Sequence, residues 1–106
     1  MQNRSIRNVP FYPYPQGGQS VAFTGAAAGT STALTVGREY NVSVGEDCWC
    51  RAGGAGVTAI ANDFPLRAGA IYVYTPTIAG VDDRLSFLAI DPAAAASTAL
   101  IGRSER

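Results

Sequence analysis

The sequence predicts an all-β protein, an antiparallel β-sandwich or jelly roll preceded by an extended N-terminal arm. Short stretches in which apolar and polar residues alternate fill most of the chain after Val21, and such alternation is typical of half-buried strands. Gly, Pro, Asn and Asp separate these stretches at short intervals, as turns do in sandwiches. Because 47% of the 106 residues are hydrophobic and 15% are charged, the composition predicts one packed core. We therefore divide the chain into an arm, residues 1–20, and a sandwich domain, residues 21–106.

Proline and aromatic residues dominate the arm. Residues 10–15 are Pro-Phe-Tyr-Pro-Tyr-Pro, and this segment has neither strand nor helix periodicity. Proline favours polyproline II, in which twenty residues can extend up to ~60 Å. The arm either folds back along its own domain or lies on a neighbouring subunit, and the sequence leaves both interpretations open. The expected partner-binding residues are Arg4, Arg7, Phe11, Tyr12 and Tyr14.

Four strands are predicted most clearly. Residues 40–44 and 47–51 both alternate, and the short turn at Gly45 and Glu46 between them predicts a hairpin. Residues 71–74 alternate and end before Pro76. Residues 85–90 are apolar on both faces, which predicts a central strand.

Shorter strands are predicted at residues 20–24, 33–36, 64–66 and 98–103. Residues 91–96 differ, because an N-cap aspartate and a proline precede four alanines, the best helix former. We expect a loop or at most one helical turn there, followed by the final strand.

The two cysteines predict buried thiols. Cys48 and Cys50 are two residues apart, so on a strand they point to the same face about 7 Å apart. This spacing is near the limit for a disulfide, and their oxidation state stays open. Structural zinc takes about four ligands, and the chain has no His and no second thiol pair. The sequence predicts neither a metal nor a cofactor.

The residue types present do not favour an enzyme. All eight basic residues are arginine, and without His or Lys nothing obvious activates a serine or threonine as a nucleophile. The glycine-rich residues 53–56 are not followed by a helix that could hold a phosphate. Asp82 and Asp83 lack the spacing of a calcium loop and are ordinary turn residues. We therefore predict no catalytic residues.

The charge pattern indicates which partners to expect. Eight acidic residues balance the eight arginines, which argues against nonspecific nucleic-acid binding. No stretch approaches the ~20 apolar residues of a membrane span, and no standard export signal is expected. Arginine tolerates burial at an interface better than lysine does. An arginine-only, weakly charged chain therefore suits a protein covered by its neighbours.

Residues 47–69 carry a resemblance to a known class of proteins. They contain Asp-Cys-Trp-Cys-Arg-Ala-Gly, then Gly-Val-Thr-Ala, Asn-Asp-Phe-Pro-Leu and Ala-Gly. This pattern resembles small β-sandwich structural proteins of tailed bacteriophages, in which a strand ending in Arg-x-Gly leads through a Gly-Thr-Ala turn to an Asp-x-Pro-Leu-x-Ala-Gly corner. A strand like residues 85–90 follows in those proteins. The resemblance covers roughly residues 21–103, and the arm and the alanine-rich segment are not part of it.

Such a resemblance implies a capsid cement (decoration) protein or another virion component. It implies a homo-oligomer, often a trimer, held on a larger shell. The expected partners are other copies of the chain and the major capsid protein or another virion component, and the expected location is the virion, assembled in the host cytoplasm.

A carbohydrate-binding sandwich of a tail or fibre, used in host recognition, is the alternative. In that hypothesis Trp49, Tyr72 and Tyr74 are platforms on which sugar rings stack. Otherwise Trp49 is expected to belong to the core or to a subunit interface.

Overall fold

Two antiparallel sheets of four strands each form the domain in this computed structural model, which describes residues 18–103. Sheet A has the strand order β1-β8-β3-β6, and sheet B has the order β2-β7-β4-β5. The strands are β1 Gln19–Phe23, β2 Gly29–Thr30, β3 Tyr40–Val44, β4 Cys48–Gly53, β5 Phe64–Leu66, β6 Ile71–Tyr74, β7 Arg84–Ala89 and β8 Ser97–Arg103. Within the described range there is no helix, and therefore none that could cross a membrane.

The predicted antiparallel all-β sandwich is confirmed. The jelly roll and the extended arm stay predictions. Residues 1–17 lie outside the described range, and the last two residues assigned to the arm, Gln19 and Ser20, are the first two of β1. The segment at residues 91–96 is a turn, in which the Ala94 N–H donates to the Asp91 carbonyl, and β8 follows it.

The predicted hairpin at Gly45 and Glu46 is wrong. β3 pairs with β6 and β8 in sheet A, whereas β4 pairs with β5 and β7 in sheet B. The Gly45 N–H still donates to the Thr98 carbonyl of β8, which neighbours β3 in sheet A. Two residues later, the Asp47 carbonyl accepts from the N–H of Ile90, which follows β7 in sheet B. The connection is an arch from one sheet to the other. Alternation cannot separate the two outcomes, because both strands have one apolar face whether they pair or pack across the core.

The strand predicted at residues 33–36 is also wrong. Backbone bonds from Ser31 to Leu85 and from Leu34 to Asp83 keep this segment beside β7. The Leu85 N–H, however, donates to the Ser31 side chain rather than to a backbone carbonyl. A serine hydroxyl competes with the backbone for such bonds, and here it interrupts the ladder after β2.

The core lies between the inner faces of the two sheets. Phe23 of β1 and Phe87 of β7 meet across this space with ring centroids 6.1 Å apart. The buried apolar residues are Val21, Phe23, Leu34, Tyr40, Val42, Val44, Cys48, Leu66, Leu85, Phe87, Ala89, Ala99 and Ile101. Both sheets contribute to this set, so neither sheet buries its apolar face alone.

Ser86 is fully buried on the other side of β7, under the loop at residues 54–63. Its Oγ accepts a bond from the Ala59 N–H at 2.8 Å and donates its own proton to the Thr30 hydroxyl at 3.1 Å. The Thr30 hydroxyl donates in turn to the Val57 carbonyl of the loop. The loop is therefore fixed to sheet B through two hydroxyls, those of Ser86 and Thr30.

Replacing Ser86 by alanine should destabilise the domain by about 1–3 kcal/mol, because the buried Ala59 N–H loses its acceptor. Urea unfolding measures the change. The exposed Ser20 of β1 provides the control, since Ser20→Ala should change stability by less than about 0.5 kcal/mol. Equal effects of the two substitutions would contradict this role of Ser86.

Candidate functional site

Among the described residues 18–102, no charged side chain lies on the outer face of sheet A. Strand alternation places these residues on it: Ser20 and Ala22 of β1, Thr98, Leu100 and Gly102 of β8, Asn41 and Ser43 of β3, and Ile71 and Val73 of β6. The strand register aligns Ser20, Leu100, Ser43 and Ile71 in one row across all four strands. We call this surface the uncharged face.

Three large aliphatic side chains project from the uncharged face into solvent. Leu100 is 56% exposed, Ile71 is 70% exposed and Val73 is 60% exposed. A solvated antiparallel sheet usually places polar residues on its outer side. Burying this face would cost little, because no charge loses its hydration and the only polar groups are hydroxyls and one amide. The uncharged face therefore has the chemistry of a surface that another protein covers.

The uncharged face is concave at one end. A hollow of about 370 Å³ lies beside Leu100. It is lined by Ser43, Val44, Gly45, Ser97, Thr98 and Leu100. A side chain from a partner could enter this hollow.

The outer side of sheet B is different. Arg51 forms a two-pronged ion pair with Asp63, with the Nη2 and Oδ1 atoms 2.9 Å apart and the Nε and Oδ2 atoms 3.0 Å apart. Arg84 belongs to the next strand, and the loop described above covers Ser86. The outer side of sheet B therefore carries charged residues and a loop, whereas the described outer residues of sheet A are uncharged.

An apolar cleft of about 330 Å³ opens between the two sheets where β5 and β6 form their edges. We call it the β5–β6 cleft. Its lining consists of Val42, Cys50, Ala52, Phe64, Leu66, Tyr72, Val73, Tyr74 and Leu85. None of these side chains is charged, and Phe64 is 65% exposed.

The two tyrosines of the β5–β6 cleft are held by their hydroxyls. Tyr72 accepts a bond from the Arg67 N–H at 2.8 Å, and Tyr74 donates to the carbonyl of Asp82. Burial raises the pKa of the Tyr74 phenol, with a further contribution from the Asp82 charge, so the group stays protonated and keeps donating. Both rings pack against the core.

The cysteines are free thiols. Both lie on the inner face of β4, and their two-residue spacing predicted that they share one face. Cys48 belongs to the core, and Cys50 faces the β5–β6 cleft. Burial, with a smaller contribution from nearby negative groups, raises the pKa of each thiol to about 12. Neither is a nucleophile near neutral pH, because the thiolate is the reactive form. Among residues 18–103, no three His, Cys, Asp or Glu side chains are placed to hold a metal ion.

Of the residues singled out from the sequence, those that the structure describes do not meet in one site. Arg4, Arg7, Phe11, Tyr12 and Tyr14 lie outside the described residues. The three aromatics of the carbohydrate hypothesis lie on different sheets, and they form no common platform. Trp49 is half-buried on the outer side of β4, while Tyr72 and Tyr74 face inward from β6.

Sequence reasoning missed the outward aliphatic residues. β6 reads Ile-Tyr-Val-Tyr, so both of its faces are apolar and alternation does not say which is buried. The tyrosines are inside because each hydroxyl finds a backbone partner at the edge of the sheet. The sequence did carry a signal for the uncharged face. The four strands of sheet A contain no charged residue before Arg103.

Three aspartates fix turns around the sandwich. The Oδ1 atom of Asp82 accepts bonds from the N–H groups of Thr77 and Ile78, each at 2.9 Å. Those bonds and the Thr77 hydroxyl hold the pKa of Asp82 below its usual value. The pKa of Asp63 is lowered by Arg51, and that of Asp47 is lowered by the Ala68 N–H and by Arg67. These carboxylates stabilise turns.

Comparison with protein-family models, with curated proteins and with solved structures finds no match to this chain.

Acid should destabilise the domain from about pH 4 downward. The pKa values of Asp47, Asp63 and Asp82 are lowered by folding, so the folded state binds fewer protons than the unfolded state. Their contribution is complete above the ordinary pKa of aspartate and is lost as the pH falls through the lowered values. Thermal unfolding between about pH 7 and pH 2 measures this loss.

Asp82→Asn is the matched variant for this prediction. The asparagine oxygen can still accept the two backbone bonds that Oδ1 accepts, but the group no longer titrates. Its melting temperature should fall less between neutral and acid pH than that of the parent chain. Identical pH profiles would contradict the contribution assigned to Asp82.

Proposed function

We propose that this chain is a non-enzymatic structural component of a tailed-phage virion, of the capsid cement (decoration) type. In this proposal it associates with itself, as a trimer, and binds the major capsid protein of the assembled shell. The uncharged face is the observation that carries the proposal, because it is a sheet surface with the chemistry of an interface. The arm provides the second contact.

The strand order supports a structural role of this kind. The order β1-β8-β3-β6 facing β2-β7-β4-β5 has six of its seven connections crossing between sheets, and only β4 and β5 are joined within one sheet. We infer that the sandwich is a jelly roll, an eight-stranded arrangement that occurs in viral capsid domains and in lectins.

The motif on which the resemblance rests is also linked in space. Its Arg-x-Gly part ends β4 and its Asp-x-Pro-Leu part begins at Asp63, and these parts meet in the ion pair between Arg51 and Asp63. Asp63 also accepts a bond from the Ile60 N–H at 2.8 Å. One physical reason for the spacing is therefore that the arginine and the aspartate hold the turn between β4 and β5.

The size of the uncharged face indicates why an arm is needed. Four strands about 4.8 Å apart and about five residues long cover roughly 320 Å². A stable interface covers about 800 Å² on each partner. Each aromatic side chain of the arm can bury ~150–250 Å², so three of them would supply the remaining area. Copies of this chain that bind the assembled shell but not free capsid subunits would stabilise the shell by mass action.

The strand order is also compatible with the carbohydrate-binding alternative, since jelly rolls occur in lectins, but the positions of the aromatic residues do not favour it. It needs several rings on one exposed face, and Trp49 is on the opposite sheet from Tyr72 and Tyr74. We therefore propose only the structural role.

Leu100→Arg should weaken self-association by tenfold or more, because a guanidinium placed in an apolar contact loses hydration without gaining a partner. Sedimentation velocity of the full chain over a range of concentrations measures the association. Ile78→Arg is the control, since Ile78 is 57% exposed, like Leu100, but lies in the turn before Asp82 and off the uncharged face. Equal weakening by both variants, or a monomeric parent chain, would contradict the role of this face.

Replacing Phe11, Tyr12 and Tyr14 together by serine should weaken binding to assembled shells that lack this protein, because the arm loses its apolar anchors. Co-sedimentation with such shells measures the binding. Circular dichroism should show an unchanged fold, since the described core contains no residue of the arm. Binding at full strength would contradict a role of the arm in shell binding, whether the arm contacts the shell or holds the trimer together.

A further inference from the structure

We propose that the β5–β6 cleft binds residues 10–15 of a second copy of this chain. The cleft is an apolar groove with aromatic side chains along it, formed by Phe64, Tyr72 and Tyr74. Residues 10–15 are uncharged, contain three prolines and include the spacing Pro-x-x-Pro at Pro10 and Pro13. The proposal rests on the self-association proposed above and names its partner surface.

The chemistry of the two surfaces is complementary. Segments with the spacing Pro-x-x-Pro adopt polyproline II at low entropic cost and bind in grooves lined by aromatic rings. All nine residues lining the cleft are uncharged, so the uncharged segment would leave no ion buried. A polyproline II segment keeps its carbonyl groups unpaired, and these need donors. Tyr72 accepts a bond from Arg67, and its phenol can also donate its own proton to such a carbonyl.

The position of Gly18 decides between the chain's own cleft and that of a neighbour. Gly18 precedes β1 and lies beside Gly102 of β8. Gly102 pairs with Asn41 of β3, and Asn41 pairs with Val73 of β6. Val73 lines the cleft. Three strand spacings separate Gly18 from Val73, which is about 14 Å.

The chain is too short to place the whole segment in its own cleft. Pro15 is three residues before Gly18, and three residues span at most about 10 Å. Pro15 therefore cannot reach the far edge of its own sheet A. This limit on reach does not apply to a second copy if its β5–β6 edge lies next to the β1 edge of the first. The cleft of that second copy can accept all of residues 10–15.

This contact joins two different surfaces, the arm of one copy and the cleft of the next. Such a heterologous contact repeats around a ring when the rotation between copies closes. Three copies would then exchange three arms, each in the cleft of its neighbour. The arrangement accounts for the trimer of the proposed function without requiring a two-fold contact.

The test uses full-length chains that carry the photo-reactive residue benzoylphenylalanine in place of Tyr12. Unlabelled and ¹⁵N-labelled chains are mixed in equal amounts, irradiated and digested. Mass spectrometry then locates each cross-link and shows whether it joins a light chain to a heavy chain. We expect light-to-heavy cross-links to peptides of β5 and β6.

Two arginine substitutions make the test specific. Ala52 lines the cleft and is exposed, so Ala52→Arg should lower the yield of these cross-links at least tenfold without disturbing the core. Ala61→Arg, at an exposed position in the turn before β5, should leave the yield unchanged.

Three results would overturn the proposal. Cross-links to β5 and β6 only within single chains would show that the arm lies in its own cleft. Light-to-heavy cross-links to other residues would show that the chain associates but uses a different surface, which leaves the proposed function intact. No light-to-heavy cross-links, together with a monomer in sedimentation, would contradict both the arm exchange and the proposed self-association.

Discussion

Contact between the inner faces of the two sheets is the interaction on which the rest of this structure depends. Phe23 of sheet A meets Phe87 of sheet B, and the apolar residues of both sheets surround them. The described core draws on both sheets, so each sheet buries its apolar inner face against the other. The arch at residues 45–47 follows from this requirement, because it sends β3 and β4 to opposite sides of one core.

The same division leaves the two outer sides with different chemistry. Sheet B has a loop bound over Ser86 and an ion pair between Arg51 and Asp63, so these three outer residues have polar partners within the domain. Within residues 18–103 nothing comparable covers sheet A, and its described outer residues are small, uncharged or aliphatic. Apolar edges at β5 and β6 extend this surface into the cleft. In the proposed function this surface is an interface, and the exposed Leu100 and Ile71 do not belong to the core.

Much of the fold could be predicted from two-residue periodicity, and what was missed has physical causes. Alternation located β3, β5 and β6 with their observed bounds, because each has a clear turn residue on both sides. It could not tell a hairpin from an arch at Gly45, since both bury one face of β4. The strand predicted at residues 33–36 failed because the Ser31 hydroxyl takes a backbone partner, a contact that no local pattern reveals.

The site was less predictable than the fold. The uncharged face combines residues from four strands that are distant in sequence, and their register decides that Leu100 and Ile71 share one row. In β6 both faces are apolar, so the sequence did not say that the tyrosines turn inward. The arm stays a prediction from its prolines and aromatic residues, because residues 1–17 lie outside the described range.

The central claim is that a second protein surface covers the uncharged face in solution. Methyl NMR of the associated full-length chain with a soluble nitroxide tests it directly, because the nitroxide broadens only signals that solvent can reach. Leu100, Ile71 and Val73 of the uncharged face can be compared with Ile78 and Val81, which are about as exposed in the isolated domain. We predict that the first three are protected and the last two are broadened. Equal broadening of all five would contradict the claim.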